Sequence, residues 1–592
     1  MFKLFKYLKS YLWQVVLLLV LISLQVWTSL QLPSLMADII NNGIMKSDLD
    51  YIWRTGSWMI GLAVFSSICA FTANFLSARI GTAFARDVRK DLFAHALNLS
   101  TADIDQFSTA SLITRTTNDI NQVQSAVVMC LTMALRAPLT CVLAVGQAIA
   151  TAPDMTWIIA LAVGVILFLT ILIMAIVMPK FTIIQKLADR ITLLTRESLT
   201  GLRVIRAFNN ESLEKRKFEK TNNENTKLNV WVDVILSLQS PLISLVFNGT
   251  TLLCTWIGIS LISKDITYLG NMMAFMQYAI QVVMSFLFLT MLFVILPRAN
   301  VSAKRINEVF NTKSKIIWRN ETIGKPNLEP SVEFSHVDFG YRGAEEKVLH
   351  DVSFVAEAGK TTAFIGSTGS GKSTLINLVP RFYEATGGEI KINNIKIQDY
   401  AKNDLMRRIG YVPQRGVLFS GTIKSNILFG APEASEEQMK LAARVSQSEE
   451  FIEKLDKKYE SHISQGGTNV SGGQRQRLSI ARAIAKDPDI YIFDDSFSAL
   501  DMKTDVKLRE ALKPITKNAV TLIVAQRIST IKDAEQIVVL SEGEVVGKGN
   551  HYELLRGCEV YREIAKSQLS DAEFQSELAQ SKKQSKKEVK HA

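Results

Sequence analysis

The sequence predicts two structural classes in one chain: an α-helical membrane domain of six spans, followed by an α/β domain on a mainly parallel sheet. Two observations carry this. Of the 592 residues 48% are hydrophobic, and the long, nearly uncharged apolar runs fall in roughly the first 300, each long enough to cross ~30 Å of hydrocarbon. From about Pro330 onward, short β-rich runs alternate with helical stretches, the pattern of helices packed on a parallel sheet. The mean hydropathy of +0.16 is the average of these two regimes. A wholly soluble protein, a disordered chain and a small disulfide scaffold are excluded.

The spans are expected near Leu12–Leu32, Trp58–Ala78, Ala126–Ala148, Met155–Met178, Val230–Ile262 and Asn271–Leu296. Asp233, Pro241 and Asn248 soften the limits of the fifth. The domain limits that follow are 1–310 for the membrane domain, 311–330 for a linker, 331–568 for the α/β domain and 569–592 for a charged tail.

Loop charge sets the orientation. The connection between spans two and three carries Arg79, Arg86, Arg89, Lys90 and Arg115, and the one between spans four and five is rich in Lys and Arg from Lys180 to Lys227. Ile149–Asp154 has neither, and Ser263–Leu269 has only Lys264. The two long loops and both termini are therefore expected in the cytoplasm. The basic and apolar alternation of Met1–Lys9 suits a short interfacial helix on the inner leaflet. No signal-peptide cleavage site follows it closely.

Each long loop runs for roughly 50 residues, too many for a structureless connection. Apolar residues at three- and four-residue spacing (Phe93, Leu97; Ile183, Leu187, Ile191, Leu194) extend the helices into the cytoplasm. The turns are expected near Thr114–Gln124 and Ala207–Leu213.

Cys69, Cys130, Cys141, Cys254 and Cys558 show no CxxC pairing, and four of them lie in apolar runs, as buried thiols do. The net charge of +11 follows the membrane topology and a Lys-rich tail (Lys582, Lys583, Lys586, Lys587, Lys590). No nucleic-acid partner is expected, and the tail reads as a solvated, mobile segment.

In the second half, the strand Thr362–Ile365 leads into Gly366-Ser367-Thr368-Gly369-Ser370-Gly371-Lys372-Ser373-Thr374 and then an apolar helix, Leu375–Val379. Strand, glycine loop and helix in that order are the P-loop context. The glycines let backbone N–H groups converge on phosphate oxygens, and the helix N-terminus adds its positive end. Lys372 would bridge the β- and γ-phosphates of ATP and Ser373 would ligate Mg²⁺. A second strand, Ile490–Phe493, ends in Asp494-Asp495, and a carboxylate there can hold Mg²⁺ through water.

Asn469-Val-Ser471-Gly472-Gly473-Gln474-Arg-Gln-Arg resembles the signature motif of ABC transporters. Gln414 in Tyr-Val-Pro-Gln resembles the family's Q-loop, Ser498-Ala-Leu-Asp501 its D-loop, and Tyr341 the aromatic that stacks on adenine. With six spans ahead of one nucleotide-binding domain, the chain is similar to an exporter-type half-transporter over nearly its whole length. The resemblance implies ATP and Mg²⁺ as cofactors, with Gln414 joining Ser373 and Asp494 around the metal. It also implies a second half-transporter chain as partner in a lipid bilayer. Each ATP would lie between one chain's P-loop and the other chain's signature, and closure would pass through the cytoplasmic turns to the spans.

Two departures from the family pattern stand out. After the strand-end Asp the family normally has Glu, the base for the attacking water; here Asp495 stands, one methylene shorter. A misplacement of about 1 Å can cost ~100-fold in rate. The family's switch histidine is replaced by Gln526, which cannot carry a proton. The P-loop site of this chain is thus expected to bind ATP and hydrolyse it poorly, while the intact Ser471–Gln474 completes a partner's site. This resembles the degenerate-site subunit of a bacterial heterodimeric multidrug exporter.

Span six is rich in Met272, Met273, Phe275, Met276, Tyr278, Met284, Phe286, Phe288, Met291 and Phe293, soft surfaces that suit lipophilic small molecules, although most such residues pack or face lipid. Gln147, Asn248, Gln277 and Gln281, with Arg136 and Asp233, are the costly polar residues within spans. The leading expectation is export of lipophilic, drug-like compounds across a bacterial plasma membrane. The alternatives are a homodimeric exporter of lipid or peptide, and a nucleotide-sensing regulatory subunit.

Overall fold

Long apolar helices dominate the first half of the computed structural model, which describes residues 2–262, 268–324 and 329–591. The chain divides into two units, Met1–Leu97 with Thr109–Thr312, and Asn98–Ser108 with Lys313–Ala592.

Among its described residues the first unit holds six helices long and apolar enough to cross a membrane: Lys3–Ile44, Leu49–Asn98, Thr109–Thr151, Pro153–Thr200, Glu211–Leu261 and Leu269–Leu289. The last belongs to a helix running from Tyr268 to Asn311. Trp13, Trp53, Leu252 and Trp256 stand exposed on these helices, which suits hydrocarbon and its interface rather than water. The connection around Lys264 lies outside the described residues. The N-terminal segment Phe2–Tyr11 winds as a 3₁₀ helix. It buries Leu4, and the Tyr7 and Tyr11 hydroxyls donate to Asp91 at 2.8 Å and Asp87 at 2.6 Å.

The turn expected at Thr114–Gln124 is not there. That stretch is helical throughout, with one π turn at Arg115–Asp119. The chain reverses instead at Asn98–Ser108, where Ser100 caps the helix Thr101–Phe107 by accepting from the Asp103 N–H. Ser-x-x-Asp is a helix-start signal, whereas the polar run further on stays helical, with Thr117, Asn118 and Asn121 exposed and Asp119 buried against Ser302. The second turn falls where expected: helix Leu202–Ala207 ends and helix Glu211–Ser237 begins.

In the second unit, strands β1 (Ser331–Phe339), β2 (Leu349–Glu357), β4 (Gly387–Ile392) and β5 (Ile395–Lys396) form an antiparallel sheet in the order β2-β1-β4-β5. The six-stranded sheet runs β12-β11-β3-β10-β9-β6. Its members are β3 (Thr361–Gly366), β6 (Ile409–Val412), β9 (Ile490–Asp494), β10 (Val520–Val524), β11 (Gln536–Ser541) and β12 (Glu544–Gly549). All neighbours pair parallel except β11 and β12. Short strands β7 (Gly421–Thr422) and β8 (His462–Ile463) pair separately.

Because side chains alternate faces along a strand, the six-stranded sheet feeds two cores. Ala363, Ile365, Tyr491, Phe493, Ile523 and Val539 enter one. Phe364, Ile490, Ile492, Leu522 and Val538 enter the other, with Leu375, Ile376 and Leu378 of the P-loop helix. Asp494 continues the parity of Ile490 and Ile492 and so emerges on the P-loop side.

The charged tail is not a mobile segment over its first part. Asp571–His591 is helical, Phe574 and Ser581 are buried, and the Arg556 guanidinium donates to the Ser581 carbonyl at 2.8 Å. The buried aromatic after a capping Ser570 decides this; the side chains of the tail's lysines lie outside the described residues.

Candidate nucleotide site

Where β3 ends, the backbone turns through Gly369 (φ +87°) and Gly371 (φ +92°) before helix Lys372–Leu378. The left-handed region is costly for residues with a Cβ, and a Cβ on Gly371 would lie 2.7 Å from Leu349 Cδ2. A Cβ on Gly366 would collide with the Leu540 carbonyl. The loop therefore needs glycine at these points to form a cradle of amide groups. Lys372 Nζ donates to the Gly366 and Ser367 carbonyls at 3.0 and 2.6 Å, and burial lowers its pKa against the pull of Asp495 and Asp494.

The alternation of β9 delivers its carboxylates to this cradle. Ser373 Oγ donates to Asp494 Oδ1 at 2.8 Å, so a hydroxyl and a carboxylate stand together beside the phosphate loop. That pair fits Mg²⁺, which takes few protein ligands and keeps waters. Burial, first of all, pushes the Asp494 and Asp495 carboxyls above the ordinary carboxylate range.

Asp495 follows with φ +47°, a conformation Asp tolerates better than most residues. Two side-chain amides converge on one of its oxygens: Gln526 Nε2 donates to Asp495 Oδ2 at 2.8 Å and Gln414 Nε2 donates to the same oxygen at 3.2 Å. Gln414, Asp495 and Gln526 thus form one hydrogen-bonded cluster.

These groups line a cavity of about 470 Å³, with Gly366–Gly369, Gly371–Thr374, Gln414, Asp495 and Gln526 in its wall. Tyr341 stands at its edge, half exposed, its hydroxyl 3.0 Å from Thr374 Oγ1. Ser370 is buried in the loop and accepts from Lys372 at 3.3 Å. Ser471, Gly472, Gly473, Gln474 and Asp501 are not among the described residues of that wall. They cap two exposed helix starts. Ser471 Oγ accepts from Gln474 N–H at 3.2 Å and Gln474 Oε1 accepts from Ser471 N–H at 2.9 Å. Asp501 Oδ1 accepts from Thr504 N–H at 3.0 Å.

Sequence reading missed Gln568, at the end of helix Glu559–Gln568. It lines the cavity and grips the backbone on both sides of Arg527: Nε2 donates to the Gln526 carbonyl at 2.7 Å, and Oε1 accepts from Ile528 N–H at 2.9 Å. A glutamine in an amphipathic helix carries no motif, so nothing in the sequence points to it.

The description "ABC transporter transmembrane region" matches residues 15–286, and "ABC transporter" matches residues 349–498. An uncharacterized ABC transporter ATP-binding protein of Bacillus subtilis (strain 168) is 36% identical over 96% of this chain and 98% of its own length. The chain belongs to the ABC transporter family. This ABC transporter is similar, at 36% identity over 94% of the chain and 96% of the relative, to an uncharacterized ABC transporter ATP-binding protein of Mycobacterium tuberculosis (strain CDC 1551 / Oshkosh). It is 31% identical over 87% of the chain and 88% of the relative to the ATP-dependent lipid A-core flippase of Hahella chejuensis. Its fold is that of a bacterial Atm1-family ABC exporter solved with ATP bound, at a TM-score of 0.78, 22% identity, and coverage of 95% of this chain and 99% of that one. The protein is therefore a multi-pass ABC transporter of exporter-type fold, with an ATPase coupled to transport.

Proposed function

We propose that this exporter chain works as one subunit of a heterodimer in a bacterial plasma membrane, both termini cytoplasmic, extruding lipophilic, drug-like molecules. Its own P-loop site binds ATP and turns it over slowly. Lys372 and the loop amides hold the phosphates, Tyr341 packs on the base, and Ser373, Asp494 and Gln414 are the groups that would hold Mg²⁺. The metal, when bound, neutralises phosphate charge.

The observation that carries this reading is the double amide cap on Asp495. A general base must present a free lone pair to water within hydrogen-bond reach. The Asp495 oxygen that faces Gln526 accepts from two amides instead, and its side chain is a methylene short. Gln526 can donate a hydrogen bond but cannot shuttle a proton. The signature Ser471–Gln474, exposed and self-capped, remains available to a partner's ATP at a helix N-terminus, where anions are favoured.

The test is the ATPase rate of the purified chain alone and with its co-expressed partner. Slow turnover alone and rapid turnover in the pair are expected; brisk hydrolysis by two identical copies refutes the heterodimer. A second reading, a lipid as the cargo, is favoured by the flippase relative, and ATP-dependent accumulation in vesicles separates lipid from drug-like substrates.

A further inference from the structure

The helices of the membrane unit enclose a cavity of about 330 Å³, within the range that holds small ligands. Its wall mixes apolar side chains such as Met284 and Phe288 with Gln25, Thr132, Gln281 and Ser285. Of the polar span residues singled out from sequence, Arg136 and Gln281 line it; Gln147, Asp233, Asn248 and Gln277 do not. Arg136 is the charged residue among the described residues of this wall, which include no carboxylate.

Counted from the expected third span, Ala126–Ala148, Arg136 falls about ten residues in, near the middle of ~30 Å of hydrocarbon. An arginine at such depth is costly unless it faces a polar cavity or meets an anion. The helix is reshaped around it: a π turn at Cys130–Ala134 precedes it and Pro138 follows within a turn. Single π turns widen a helix and free carbonyls, and they gather at binding sites. The result is an exposed cation with no ion-pair partner among the described residues, in a wall that also holds amides, hydroxyls, Met284 and Phe288.

We propose that this cavity binds amphiphiles carrying an oxyanion, a carboxylate or phosphate on an apolar tail, with Arg136 as the group that selects the charge. The guanidinium fork matches the two oxygens of a carboxylate or phosphate. Gln25, Thr132 and Gln281 supply further hydrogen bonds, and the Met284–Phe288 side takes the tail. This rests on the export reading above and narrows its lipophilic substrates to anionic ones.

The test uses the full-length chain with its co-purified partner in phosphatidylcholine nanodiscs. Binding of oleate is compared with that of oleyl alcohol and oleylamine, which share its tail but not its charge. Oleate is expected to bind at least ~10-fold more tightly than either, since one charge-assisted hydrogen-bonded pair discriminates by that order. Arg136→Gln should erase the preference, and Arg136→Lys should retain part of it, which shows that the fold survives change at this position. Equal affinity for the three probes, or a preference that persists in Arg136→Gln, overturns the proposal. Inorganic phosphate should not displace oleate at matched concentration; displacement would show a bare anion site and overturn the role of the tail. Phosphatidic acid placed in the nanodisc distinguishes the source: competition supports an oxyanion site fed from the bilayer, and its failure with oleate still bound supports one fed by a dissolved amphiphile. ATP-dependent accumulation of oleate in vesicles is measured separately. Arg136-dependent binding without transport leaves this site standing and sinks the export reading; transport without charge preference does the reverse.

Discussion

The chain carries a phosphate-loop segment and a signature-like segment, and they are built in opposite ways. The P-loop cavity turns its polar groups inward: Lys372 onto loop carbonyls, Ser373 onto Asp494, Gln414 and Gln526 onto Asp495. The signature segment caps itself with Ser471 and Gln474 and leaves Gly472 on the surface. A site whose donors and acceptors pair with each other is suited to holding a ligand quietly. One that leaves a helix start exposed is suited to meeting a ligand brought by another molecule.

The contrast breaks most sharply at Gly472. A side chain there meets nothing within 4 Å in its own chain, so Gly472→Asp should fold normally and leave ATP affinity at the P-loop cavity unchanged. It should cut the ATPase of the two-chain assembly by about 100-fold or more, the order seen for loss of one aligned donor to developing charge. If the assembly keeps its rate, the signature does not serve the partner.

The opposite change is expected at Asp495 and Gln526. Restoring Glu and His together should raise the ATPase of the purified chain by roughly 100-fold, the usual scale of a well-placed base. Each single change should give less, because the two residues share one hydrogen bond. No gain in the double variant would mean that the cavity is limited by something other than its base.

Gln568 sharpens the comparison within the cavity. Gln568→Ala removes both hydrogen bonds that fix the Gln526–Ile528 backbone, a loss of about 1 kcal/mol for each. Amide exchange at Ile528 should rise by about 5–30-fold, with ATP affinity changed far less. Unchanged exchange would show that the loop is held by its own packing.

The smallest effect is a pH-dependent one. Burial raises the Asp495 carboxyl in the fold, so the folded state holds that proton more tightly than the unfolded chain does. The stabilisation is present below the unfolded value of about 4 and is lost as pH rises through the folded value. Asp495→Asn, neutral throughout, should raise the melting temperature at pH 7, with the gain disappearing near pH 4. A constant gain at both pH values would assign it to the amide's hydrogen bonds instead.

Much of this was legible in the sequence. The strand, glycine loop and Lys372-Ser373 reported the phosphate cradle because backbone geometry there tolerates few other residues. The strand Ile490–Phe493 ending in Asp494-Asp495 reported a carboxylate beside that cradle. The first turn was misplaced because polarity at Thr114–Gln124 belongs to a continuous helix with one exposed face and a buried Asp119, whereas Ser100 and its N-cap mark a chain reversal. Gln568 was invisible because its partners lie about 40 residues away and are backbone groups.

Sequence by itself determined the periodic and local features: apolar length sufficient for six spans, the alternating strands, the glycines at positive φ and the two substitutions at Asp495 and Gln526. These depend on spacing along the chain and on the chemistry of single residues. Only the tertiary structure decided that Gln414 and Gln526 meet on one Asp495 oxygen, that Gln568 closes over the same loop, and that Arg136 faces a cavity with no carboxylate beside it. Those are matters of which distant segments come within hydrogen-bonding range, and that is fixed by packing rather than by pattern.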